Sequence, residues 1–127
     1  MRERQFLQIA VAFAGLVPVT AGALGAIRPE LLIGGPAPAL AHGAYLSGLL
    51  LGLGLAFWSL VPAIERQGAV FGLLTALVLL GGLARTLAAI RLGAWNLAVT
   101  LPLVMELGVT PALYLWQRRV SFLLRPE

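Results

Sequence analysis

The chain contains no cysteine, no lysine, no aspartate and a single histidine in its 127 residues. Without cysteine there can be no disulfide, no thiolate metal site and no thiol catalysis. His42 alone, with no aspartate beside it, cannot build a closed metal centre, which takes several imidazole, thiolate or carboxylate ligands. No metal and no cofactor are therefore expected. Charge of any kind is scarce. Only 11% of the residues are charged, whereas a soluble domain carries roughly a quarter. A globule in water could not be coated by so few polar groups.

What the chain has instead is apolar length. Hydrophobic residues make up 60% of it, and the mean hydropathy is +0.94. They are gathered into four runs, at residues 6–27, 41–64, 69–90 and 97–116, separated by short charged or Pro/Gly-rich punctuation. An apolar run of about 18 residues or more is long enough to cross the hydrocarbon core. The expected fold is an all-α membrane protein, a four-transmembrane-helix antiparallel bundle forming one membrane domain over residues 1–127. Residues 28–40 hold Pro29, Gly34, Gly35, Pro36 and Pro38 and are read as an outer loop. Glu65, Arg66, Gln67 and Gly68 form a tight turn, residues 91–96 a short connection, and residues 117–127 a tail. Links this short make successive helices antiparallel.

The net charge of +4 does not point to nucleic acid. All basic residues are arginine and stand at segment ends, with no basic and aromatic interleaving on a soluble face. Their placement sets topology instead. Arg2, Arg4, Arg66, Arg118, Arg119 and Arg125 fall on one side, while only Arg28 and Arg91 fall on the other outside the spans. The positive-inside rule then puts both termini in the cytoplasm. Phe6, Trp58, Tyr114 and Trp116 at the inner ends, with Tyr45 and Trp95 at the outer ends, fit aromatic belts. Arginine without lysine, beside abundant Ala, Gly and Leu, suits a GC-rich bacterial genome, so a bacterial cytoplasmic (inner) membrane is expected. The first span also resembles a signal peptide, with small residues from Thr20 to Ala26, but its apolar run is long for that purpose.

Lipid offers no hydrophobic drive for helix association, so close contact between small residues must supply it. Gly48 and Gly52, at GxxxG spacing, and Gly81 and Gly82 are the expected packing positions, with a dimer seam at Gly48 and Gly52 as the sharper alternative. Pro18, Pro102 and Pro111 interrupt helical hydrogen bonding inside spans. Intramembrane ionisable residues are candidate functional groups. Arg85 lies about 7 Å from the outer end of the third span and Glu106 about 13 Å from the same end of the fourth, at about 1.5 Å per residue. An ion pair is within reach. His42 and Tyr45 share a face at the outer end of the second span, and Thr86, Asn96, Thr100 and Thr110 add polar groups nearby. This candidate intramembrane polar cluster (Arg85, Glu106, His42, Tyr45) reads either as a clamp between helices or as an outward pocket for a lipid headgroup, quinone or other small amphiphile. No nucleophile and base stand at a recognisable spacing, so no catalytic residue is assigned. The expected role is that of an accessory or interaction subunit, in contact with the bilayer and with a membrane-protein partner or a second copy.

Leu46-Ser-Gly48, Phe57-Trp58, Pro62-Ala-Ile-Glu-Arg66, Gly81-Gly-Leu-Ala-Arg85, Glu106, and Pro111 followed by Leu115-Trp-Gln117 resemble the bacterial membrane family described as domain of unknown function 4345. The resemblance covers nearly the whole chain and is strongest from Tyr45 to Val120. It implies four helices, with Arg85 and Glu106 at the family's polar positions in the third and fourth spans, and it implies no particular activity. One departure stands out. The family pattern places an arginine just before its Tyr/Phe-Leu-Ser-Gly segment, often with an acidic residue upstream. Here Ala44 takes that place, behind His42 and Gly43. The glycine-proline turn before the fourth span is likewise Gly93-Ala94.

Overall fold

The computed structural model describes residues 2–93 and 95–124. Ala94 of the altered turn and Arg125 of the arginine count lie outside the described residues. Four helices are long and apolar enough to cross a membrane. Helix α1 is Arg2–Ile27, α2 is Ala37–Leu60, α3 is Gly68–Leu92 and α4 is Leu97–Leu123. Among the described residues there is no strand.

Helices α1, α3 and α4 outrun their apolar stretches, because helical hydrogen bonding continues into the residues that flank them. The largest correction is at α2. Pro36 is its N-cap and Pro38 stands in its first turn, where a missing N–H has no intrahelical bond to lose. The loop before α2 is thus shorter than the expected residues 28–40, and it holds a 3₁₀ turn at Pro29–Leu31. Glu30 there is fully exposed, and its own backbone N–H and the Arg28 guanidinium hold its carboxyl below the ordinary carboxylate range. At its other end α2 continues as a 3₁₀ segment, Val61–Arg66, broken at Ala63.

The chain divides into two compact units, Gln8–Pro62 and the remainder from Ala63 onward joined by the residues up to Leu7. In the first unit α1 and α2 run antiparallel. Gln8 Nε2 donates to the Val61 carbonyl at 2.7 Å and the Trp58 indole N–H to the Ala12 carbonyl at 3.0 Å. Further along, Gly54 meets Val19, and Gly22 meets the backbone of Leu51 and Ser47. Ser47, Leu51, Gly54 and Trp58 are spaced by four, three and four residues, hence one helical face. Gly48 and Gly52 sit one residue further on, about 100° around the helix, and a Cβ added at either would meet no other part of the described fold within 4 Å. The α1–α2 contact therefore does not run through these two. Gly15, Gly22 and Gly54 take that part.

The second unit packs α3 antiparallel to α4. Gly68 lies beside the Gln117 amide, Phe71 stacks on Tyr114 at 6.2 Å, and Gly82 meets Glu106 and Leu107. The first turn of α1 joins them through polar contacts. Arg4 reaches Glu65 at 2.7 Å, Arg119 reaches Glu3 at 2.8 Å, and the Trp116 indole donates to the same Glu3 at 3.2 Å. Leu7, Ile64, Phe71, Gln117 and Val120 of this unit are fully buried. Many other large apolar side chains point outward, Phe13 with 73% and Leu80 with 64% of its surface exposed. Only 6% of the most apolar stretch of α4 is buried. In water such a surface would drive aggregation, whereas against acyl chains it carries no penalty.

Candidate functional site

Local backbone chemistry sets Glu106 apart. Pro111 has no N–H to offer the Leu107 carbonyl, and its ring would crowd that oxygen. The helix answers by widening into a π turn over Met105–Val109, with Glu106 inside it. The backbone N–H of Thr110 bonds to the Met105 carbonyl, and so does the Thr110 hydroxyl at 2.9 Å. Single π turns recur at functional positions because they re-aim side chains. The sequence carries a signal for it in Gly108, inside the turn, and Pro111, just after it.

The widened turn faces α3 at Gly82. A Cβ there would come within 3.0 Å of the Glu106 Cβ and 2.8 Å of Leu107, so only glycine leaves room. At Gly81, the other expected packing residue of the pair, an added Cβ would meet nothing within 4 Å. One turn on from Gly82, the Arg85 side chain returns across the groove. Its Nη2 donates to Glu106 Oε1 at 3.0 Å, and its Nε is shared between Oε1 and Oε2 at 3.3 and 3.2 Å. Both carboxylate oxygens are taken by one guanidinium. Glu106 is 17% exposed and Arg85 42%, so the arginine covers the carboxylate from the outside.

The other polar groups close on themselves. Thr86 donates to the Gly82 carbonyl at 2.8 Å and Thr100 to the Asn96 carbonyl at 2.9 Å. The Asn96 side chain caps α4 by accepting from the Val99 N–H at 3.0 Å, the ordinary N-cap arrangement. His42 and Tyr45 are stacked at 6.5 Å on α2, and both are exposed. That pair belongs to the first unit, whereas Arg85 and Glu106 belong to the second.

Among the described residues, two buried side-chain polar atoms have no hydrogen-bond partner, the Thr75 hydroxyl and Gln117 Oε1. Gln117 enters the sequence analysis only within the Leu115-Trp-Gln117 motif, and a lone Thr such as Thr75 gives no spacing signal. Thr75 sits in α3 with 3% exposure, and burying an unbonded hydroxyl costs about 1–3 kcal/mol. Thr75→Val keeps the shape and removes the unbonded group. It is expected to raise the thermal midpoint in detergent, the reverse of the usual effect of a core substitution. A lowered midpoint would mean that the hydroxyl is bonded in solution.

No group of three or more His or carboxylate side chains among the described residues could hold a metal ion. A surface cavity of about 540 Å³ is lined by Ile9, Phe13, Leu16 and Trp58 and has no ionisable group in its wall. Among known proteins, the family model described as Domain of unknown function (DUF4345) matches residues 6–117. The chain belongs to that family. No curated protein and no solved structure matches it.

Proposed function

We propose that this member of the family is an accessory or interaction subunit of a bacterial cytoplasmic membrane, with both termini in the cytoplasm and no chemistry of its own. One observation carries the reading: the intramembrane charges are spent on each other. A reactive carboxylate needs a free oxygen, and a ligand site needs unsatisfied donors or acceptors. Glu106 has both oxygens engaged by Arg85, and Thr86, Thr100 and Thr110 are bonded to their own helix. Such pairing is the way polar groups hold helices together in lipid. Most of the large side chains that face outward along the spans are apolar.

The test is affinity capture of the tagged full chain in mild detergent after brief in-membrane crosslinking. A membrane protein recovered in fixed ratio, or a second copy of the chain, is the expected result. A chain that always migrates alone would refute the role. A second reading places a quinone, lipid or other small amphiphile against Arg85, whose guanidinium is 42% exposed and keeps N–H groups beyond those given to Glu106. On that reading Arg85→Gln loses a co-purifying amphiphile in native mass spectrometry yet folds as well as the parent.

A further inference from the structure

Gln117 is the anomaly of the second unit. It is fully buried, its Nε2 donates to the Ile64 carbonyl at 2.8 Å, and its Oε1 accepts nothing. A buried acceptor left empty is costly, so each one calls for a partner that completes it. The same side chain lines a cavity of about 380 Å³ together with Gly68, Ala69, Tyr114, Arg118 and Ser121.

The wall of this cavity is built for an anion. Gly68 and Ala69 are the first residues of the long helix α3, whose N-cap, Gln67, supplies no side-chain hydrogen bond. Backbone N–H groups at such an end are without intrahelical partners, and the helix dipole adds positive potential there. Arg118 stands at the cavity, exposed, and it makes no salt bridge among the described residues, unlike its neighbour Arg119, which pairs with Glu3. Gly68 keeps the space open, since a Cβ on it would already touch the Gln117 amide at 3.5 Å.

The position selects the kind of anion. The cavity lies where α3 begins and α4 ends, beside Tyr114 and close in sequence to Trp116, the level at which headgroups meet aromatic side chains. Basic pockets between helix ends hold lipid headgroups. Gln117 adds a further demand, because an amide oxygen repels phosphate oxygens and accepts only from an O–H or N–H. We propose that the cavity binds a phospholipid whose headgroup carries a hydrogen-bond donor beyond its phosphodiester. The phosphodiester is held by Arg118 and the α3 N-terminus, and the donor, an ammonium or hydroxyl, is accepted by Gln117 Oε1. This site is separate from the Arg85–Glu106 pair and does not rest on the function proposed above.

Native mass spectrometry of the detergent-purified full chain, with phosphatidylethanolamine and phosphatidylcholine of equal chain length, tests it. Both lipids are zwitterionic phosphodiesters, and only the ammonium of the first has N–H groups. Retention of phosphatidylethanolamine about tenfold over phosphatidylcholine is expected, the usual weight of one charge-assisted hydrogen bond. Arg118→Gln should cut that retention to a similar degree without moving the thermal midpoint, while Arg66→Gln at the exposed second connection should leave it unchanged. Equal retention of the two lipids would overturn the proposal, as would an equal loss in the Arg66 and Arg118 variants. Displacement by inorganic phosphate, with a phosphate adduct in its place, would make the ligand a free anion and overturn it too.

Discussion

Gly22→Ala is expected to be among the most damaging single-methyl changes in the protein. The added Cβ would lie 2.5 Å from the backbone nitrogen of Leu51 and 2.8 Å from both its Cα and the Ser47 carbonyl oxygen. Backbone cannot rotate away as a side chain can, so α1 and α2 would have to separate. Overpacking a tight contact costs about 1–3 kcal/mol, and a clash with main chain belongs at the upper end. The better helix propensity of alanine returns about 1 kcal/mol at most. Gly48→Ala and Gly52→Ala meet nothing within 4 Å and keep only the propensity gain. Thermal midpoints in detergent should therefore fall for Gly22→Ala and hold or rise for the other two. Equal losses at all three would mean that α2 packs on a different face.

The second large effect is an asymmetry between the two halves of the charged pair. Arg85→Met strands Glu106, whose side chain is 17% exposed, whereas Glu106→Gln leaves Arg85, which is 42% exposed. Removing one member of a well-buried pair costs about 3–5 kcal/mol, because the charge left behind has no compensation. An exposed guanidinium escapes most of that by reaching toward the polar interface. The arginine substitution should therefore cost more, on the order of 2–3 kcal/mol against about 1 for the glutamate substitution. Denaturant titration in detergent, followed by tryptophan fluorescence, would rank the two.

Much of this architecture is legible in the residues. Four apolar runs bounded by charge leave little choice of fold once each is long enough to span. Arg85 and Glu106 could be put within reach of each other because depth along a helix follows from residue count alone. The glycines were harder. GxxxG spacing marks Gly48 and Gly52, yet which face of α2 meets α1 is a matter of helical phase, and that phase is tied by the bonds of Trp58 and Gln8 to partners some fifty positions away along the chain. The start of α2 was missed because prolines that break a helix interior are harmless in its first turn. The π turn at Glu106 was missed because Pro111 announces a distortion without saying whether the helix kinks or widens. The links of Glu3 to Trp116 and Arg119, and of Arg4 to Glu65, join the first turn of α1 to residues far along the chain.

The measurement closest to the centre of this account is the coupling free energy between positions 85 and 106, from Arg85→Met, Glu106→Leu and the double variant unfolded under identical conditions. If the pair holds α3 to α4, the double variant should lose less than the sum of the singles, with a coupling of about 1–2 kcal/mol, the range of polar pairs in membrane bundles. Single variants as stable as the parent, with no coupling between them, would show that Arg85 and Glu106 do not hold the helices together.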